Sequence, residues 1–348
     1  MREKIYYIDR IKALACIAVV ILHTFYAASA YASTVTEQAV LQSVKNLMVW
    51  SVPCFVMCSG ALLLDTSKEI SLKKIVKKYI PRMLIALLFF SIAFSCFDSI
   101  ASGGAGIGDT LVKGLKDAFF GTGWKHMWYI YMMIAVYLML PIYRVITKAA
   151  DNNTIKYYLI ICIFFLSLLP ITEKIYDIKT GFYILIYSIY PMYLFLGYQI
   201  HNNRVRATNP VMAVMLGIFL ISTIALTYYN CSNNNAVVSE ILSNYASPIV
   251  VVGSAAMYGL IRKTPSKKLG LADTAAGIVS KCSFGVYLLH MAVLKYIFVV
   301  KKYDPFEHGG YFSIIMISIL AFIISFVLTW TYICLKKKVK ALSVGKTE

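Results

Sequence analysis

Ten stretches of this chain run apolar for about 16 to 24 residues, the length that carries an α-helix across a bilayer. They lie near residues 11–31, 44–64, 79–101, 127–146, 157–172, 182–200, 210–229, 244–262, 277–300 and 312–335. The fifth, YYLIICIFFLSLLPIT, is the shortest and closes on a proline. Lipid offers the backbone no hydrogen-bond partner, so runs of this kind must close their own bonds as helices. A hydrophobic share of 59%, a charged share of 14% and a mean hydropathy of +0.71 over 348 residues point the same way. The expected fold is therefore an all-α membrane protein with about ten transmembrane helices, residues 1–335 forming the membrane domain and 336–348 a basic cytoplasmic tail.

A net charge of +18 would suit a nucleic-acid binder, so the position of the basic residues decides. With the amino terminus inside, 24 of the 34 Lys and Arg fall in or beside cytoplasmic segments and 7 in outer ones. That asymmetry follows the positive-inside rule, places both termini in the cytoplasm and leaves no patch for nucleic acid. The first span also has the basic start, apolar core and small residues of a cleavable leader. Asp9, Arg10 and Lys12 displace that core into the chain, and nine more spans follow, so a retained helix is expected. Seven of the eight cysteines fall inside spans, which leaves no disulfide framework. Cys54 and Cys58 sit one turn apart with no His or carboxylate beside them, so no metal site is expected. Within the longest outer loop, DTLVKGLKDAFF is amphipathic and could lie along the outer interface.

Ionisable groups inside a span are costly and carry functional weight. In DRIKALACIAVVILH, residues 9–23, Lys12 and His23 are eleven apart, about three turns plus 20°, and so share a face at roughly 16 Å separation. Asp9 and Cys16 join that stripe, while Arg10 points away as a topology anchor. Lys12 can snorkel to headgroups, and His23 can simply bridge helices. A neutral imidazole at that depth can equally serve as a general base or acyl carrier. His290, in SFGVYLLH, could face His23 or make a packing bond. His126, with Trp128 and Tyr129, reads either as an interface belt or as a sugar-stacking platform. Lys73 and Lys74 suit lipid anchoring, whereas Lys77, Lys78 and Arg82 at the entrance of the third span also suit phosphate. His201 and His308 fall in loops and are expected to be solvated.

Five patterns taken in order give a resemblance. The chain resembles the acyltransferase 3 family in DRIKALACIAVVILH (Asp9, Lys12, His23), FVMCSG (Ser59, Gly60), KKYIPR (Lys77, Lys78, Arg82), HMWYIYMMIAVYLMLP (His126, Trp128, Tyr129, Tyr137, Pro141) and SFGVYLLH (Tyr287, His290). Two positions depart from it: Met133 stands where many members carry a Glu, and Lys12 where Arg is commoner. The resemblance implies a plasma-membrane, multi-pass and bacterial acyltransferase of the stand-alone kind, without an appended SGNH-type esterase domain. It would take acetyl-CoA or another acyl-CoA as donor and a hydroxyl of a cell-surface or lipid-linked carbohydrate as acceptor. It implies His23 and His290 as catalytic, Lys12, Lys77, Lys78 and Arg82 as donor-binding, and Ser59, His126, Trp128, Tyr129, Tyr137 and Tyr287 as acceptor-binding. Asp9 would orient its neighbours, and no resident cofactor is implied. A homo-oligomer or envelope-synthesis partners remain compatible with it. The rival class is a transporter or flippase of an envelope polysaccharide, for which ten spans and midplane polar groups are equally natural.

Overall fold

The computed structural model describes residues 5–104, 106–182, 186–205, 207–264 and 270–344. Arg2, Lys4, Arg206, Lys267, Lys268 and Lys346 of the charge comparison lie outside them. The regular elements among the described residues are all helices: α1 (Tyr6–Ala28), α2 (Val35–Leu47), α3 (Ser51–Leu63), α4 (Leu72–Ala101), α5 (Ile107–Phe120), α6 (Trp128–Ala149), α7 (Asn152–Tyr176), α8 (Tyr190–His201), α9 (Asn209–Asn233), α10 (Ala236–Ser243), α11 (Pro248–Lys263), α12 (Leu271–Val300) and α13 (Tyr311–Val344). Among the described residues, nine helical stretches are long and apolar enough to cross a membrane, with α2 and α3 counting as one and α10 and α11 as another.

Two expectations about the spans change. The segment near 182–200 is not a full span: α8 begins only at Tyr190, with Pro191 in its first turn, and is 12 residues long. Eight of those residues are buried, so protein rather than lipid surrounds it, and a helix enclosed in this way need not match the bilayer thickness. The second span starts nine residues earlier than its apolar run. Thr34 caps α2 by accepting from the Glu37 amide while Glu37 reaches back to the Thr34 amide, which satisfies the first-turn donors with side chains.

By contact, the chain divides into two compact units. The first comprises 1–59 and 156–348, the second 60–155. In the first, α1 packs along α12 and against α2 and α13, and Val20, Phe25, Leu41, Val286, Ile314 and Ala321 form a common core. Apolar contact gains little against lipid tails, so close approach of small residues does much of the work. At Gly197 in α8, an added Cβ would lie 2.1 Å from the Met57 carbonyl oxygen in α3; only glycine fits. The amino-terminal end of α1 is tied by polar bonds. Arg10 grips Asp273 twice, at 2.5 and 2.9 Å, and donates to the Thr264 carbonyl at 2.9 Å. Tyr7 meets His201 at 2.5 Å, and Arg262 donates to the His201 carbonyl while lying over the Tyr7 ring. Arg10 is thus more than a topology anchor, and His201 is not solvated as expected. His308 is exposed, with Nδ1 donating to the Asp304 carbonyl.

In the second unit, α5 matches the amphipathic stretch of the long loop. Its buried stripe is the small set Thr110, Gly114 and Ala118, and it packs on α4, where a Cβ at Gly114 would fall 2.7 Å from the Ile92 backbone. The bulky residues Leu111, Leu115 and Phe119 face outward, as an interface-seeking helix requires. Gly121, with φ +70°, ends α5 in the left-handed conformation that glycine adopts without strain. Arg144 of α6 donates to the carbonyls of Leu63, Asp65 and Lys68 and so closes the otherwise orphaned end of α3. In the loop that follows, burial disfavours the Asp65 carboxylate. The Ser67 hydroxyl and amide together with the Lys68 ammonium outweigh it and push the carboxyl down to about 2.

Candidate active site

The feature with most chemistry is a contact between two histidines 267 positions apart. Helical periodicity puts His23 on the α1 face that carries Ala13, Cys16 and Val20, and this face is buried against α12. The Cys16 thiol points to the Ser283 carbonyl at 3.9 Å, fixing the register of the two helices two turns before His23. One end of that interface is pinned by Arg10 and Asp273. In this register Nε2 of His290 lies 3.0 Å from Nδ1 of His23, with the ring centroids 5.0 Å apart.

The remaining bonds assign the protons. Nδ1 of His290 is 3.0 Å from the Val286 carbonyl, and Nδ1 of His23 is 3.0 Å from the Val19 carbonyl. A carbonyl oxygen can only accept, so each Nδ1 carries a hydrogen in the neutral ring. Nε2 of His290 therefore presents a lone pair and accepts from the His23 Nδ1–H, which is shared with Val19 in a three-centre bond. That leaves the lone pair of His23 on Nε2. His290 is fully buried and His23 only half-buried, so the second-layer ring is enclosed while the ring with the available lone pair has an open side. This arrangement suits a base or nucleophile oriented by a neighbour, the logic shared by histidine-based transfer sites. Tyr287 lies one turn before His290, its ring 6.0 Å away.

The other expected residues spread over both units. In the first, Lys12 is half-buried on α1, and Lys12 and Asp9 are within electrostatic reach of Cys58 in α3. Ser59 donates back to the Phe55 carbonyl at 3.0 Å, an intrahelical bond. In the second, Lys77, Lys78 and Arg82 are exposed. Residues 75–79 form a π turn in which the Ile80 amide reaches back to the Ile75 carbonyl. Pro81 explains it, because its ring crowds the carbonyl four residues earlier and it has no N–H to bond there. Tyr137 packs against Tyr79 at 5.5 Å. His126 is buried beside Phe94 and Trp124, which stack at 4.1 Å, and Trp124 donates to Asp98 at 2.9 Å. Trp128 and Tyr129 meet edge to face. Trp128 also lines a cavity of about 230 Å³ with Trp124, Asp117 and Tyr131. Met133, where the resemblance leads one to look for a Glu, is buried.

Two features escaped the sequence reading. The Arg10–Asp273 pair went unseen because only the fold brings these distant residues together. The other is a polar cavity beside α2, whose Gln38, Gln42, Lys45 and Asn46 recur at helical spacing; that recurrence was the available signal. Among the described residues there is no group of three or more His, Cys, Asp or Glu able to hold a metal.

Comparison with known families gives one match: the model described as Acyltransferase domain, of the acyltransferase 3 type, matches residues 5–334. No curated protein and no solved structure matches the chain.

Proposed function

The chain belongs to the acyltransferase 3 family, and from that premise we propose that it transfers an acyl group, acetyl in the first instance, from acyl-CoA to a hydroxyl of a cell-surface or lipid-linked carbohydrate. The observation that carries this is the lone pair left on Nε2 of His23 by the bonds to His290 and Val19. In the direct route, Nε2 takes the proton of the acceptor hydroxyl as its oxygen attacks the thioester carbonyl. The carbon–sulfur bond breaks, and the departing CoA thiolate recovers the proton from His23. In the relay route, Nε2 itself attacks the thioester, the carbon–sulfur bond breaks to release the CoA thiolate, and the acyl-imidazolium then passes its acyl group to the hydroxyl, whose proton goes to the thiolate. Either route gathers positive charge on the His23 ring, and the His290 lone pair stabilises it through a hydrogen bond that strengthens as the charge develops.

The donor's phosphates require cations. Lys12 in the first unit and Lys77, Lys78 and Arg82 in the second are the candidates, each to be substituted separately. Lys12 offers a point charge rather than a planar fork. Trp128 and Tyr129 are candidates for stacking on a sugar ring, with Tyr137 and His126 as further candidates in the same unit; Tyr287 and Ser59, in the first unit, are separate candidates for acceptor contacts. Asp9 is a positioning residue for the Lys12 end of α1.

The decisive experiment supplies labelled acetyl-CoA to membranes containing the protein and follows label into carbohydrate. Substituting His23→Ala is expected to reduce transfer by about a hundredfold or more, the share a positioned acid–base group contributes. A normally inserted His23→Ala protein that acylates at the parental rate would sink the proposal, as would substrate movement across the membrane with no acyl transfer.

A further inference from the structure

Beside α2, α9 and α10 the first unit holds an open cavity of about 540 Å³, within the roughly 300–1,000 Å³ of small-molecule sites. Its lining is unusual for a membrane-embedded bundle. Gln38, Gln42, Lys45, Asn46, Asn230 and Asn234 all contribute, and none of the described residues that line it is acidic. The nearest carboxylates in sequence are already engaged: Glu37 by the amides of Ser33 and Thr34, and Glu240 by Lys174. Lys45 lies over the face of Tyr26, 5.7 Å away, and near Cys231; none of the described residues that line the cavity gives its ammonium a carboxylate counter-ion.

The amides set a second requirement. Asn46 is 3% exposed, and its NH2 donates to the Thr227 hydroxyl at 3.0 Å. Its carbonyl oxygen, like that of Asn230, is buried with no partner. Gln38 and Gln42 spend their NH2 groups on Ser29. The Asn46 and Asn230 oxygens are sealed from the cavity, so the acceptors it presents are the Gln38 and Gln42 oxygens, whose NH2 groups turn to Ser29, beside one cation with no lining carboxylate. Acceptors without donors call for an occupant that supplies hydrogens. Hydroxyl groups supply them, and a carboxylate or phosphate supplies the charge.

We propose that this cavity binds a polyhydroxylated ligand bearing an anionic group, a uronate-type or phosphorylated sugar, with Lys45 pairing the anion and the Gln38 and Gln42 oxygens accepting from its hydroxyls. Tyr26, which lines the cavity, follows His23 by three residues on α1, about 4.5 Å along the axis. The cavity therefore borders the turn of α1 that follows His23. That the occupant is the acyl acceptor rests on the transfer function proposed above; its binding does not.

The test is binding to the purified full-length protein without any acyl donor, by ligand-observed NMR. The probes are glucuronate, glucose 6-phosphate, neutral glucose, and acetate as an anion without hydroxyls. At least one anionic sugar is expected to bind about five- to tenfold more tightly than glucose and than acetate. That preference over glucose should shrink in high salt and vanish in Lys45→Met, as for one partly exposed ion pair. Lys45→Arg should retain it. Glucose or acetate binding as tightly as both anionic sugars, no binding of either anionic sugar, or an unchanged preference in a folded Lys45→Met protein would overturn the proposal. Because His23→Ala leaves the cavity intact, it should bind the probes normally even where transfer is lost, so failure of one idea is visible apart from failure of the other.

Discussion

Replacing His290 by Phe removes one nitrogen lone pair from a fully buried position and leaves an aromatic ring of similar bulk. The consequence can be worked from the bonds around His23. In the resting state the ring keeps its Val19 carbonyl at 3.0 Å, so Nδ1 still has an acceptor and the tautomer survives. What His23 loses is a neutral hydrogen bond, about 1 kcal/mol, and the bond from the His290 ring to the Val286 carbonyl goes with it. When His23 gathers positive charge during transfer, the missing bond is to a charged donor, worth roughly 1.5–3 kcal/mol. The barrier rises by the difference, about 0.5–2 kcal/mol, so acyl transfer should slow by about two- to thirtyfold, with the KM for acetyl-CoA unchanged because His290 sets the ring and does not hold the donor. His290→Gln, which restores an acceptor oxygen, should recover most of the rate. Membranes carrying each variant, given labelled acetyl-CoA, report initial rates of label entering carbohydrate, and thermal unfolding in detergent confirms the fold. A His290→Phe protein at the parental rate would refute the role of the lone pair. One as inactive as His23→Ala would refute the division of labour, since His290 would then be the reacting ring.

The Arg10–Asp273 pair should behave as a buried ion pair with one edge in solvent, the two side chains being 16% and 3% exposed. Asp273→Leu or Arg10→Met alone should cost about 3 kcal/mol by stranding a charge, and the double variant should recover most of it, read as a coupling energy from a denaturation cycle in detergent. No coupling would show that the two helices are held in register by packing alone. Gly197→Ala should destabilise by about 1–3 kcal/mol or more, because the added methyl meets the backbone of Met57. Gly217→Ala, with nothing within 4 Å of its Cβ position, should be neutral or slightly stabilising by the same thermal measurement.

Much of the site was legible because two periodicities act locally. Bilayer thickness sets the length of an apolar run, and the 3.6-residue turn fixes which residues share its face. Those two rules locate the spans and put Asp9, Lys12, Cys16 and His23 on one stripe of α1. Span position singled out His290 as a second intramembrane histidine, and the family patterns added Tyr287. Neither rule says which face of one helix meets which face of another, and there the sequence reading stopped. His126, read either as part of an interface belt or of a sugar platform, is buried beside Phe94 and Trp124, and His201, expected to be solvated in a loop, meets Tyr7.

From the sequence alone came a helical membrane protein, its spans, and a polar stripe with an intramembrane histidine. The tertiary structure decided that His23 meets His290, which nitrogen of each ring bears the hydrogen, that α8 is short, and that Arg10 is paired. The physical reason is one of range. Hydrophobic length and helical phase are properties of neighbouring residues, whereas a hydrogen bond between positions 23 and 290 exists only once α1 and α12 are docked in one register. That register in turn is set by the ion pair at one end and by the packing along the shared face.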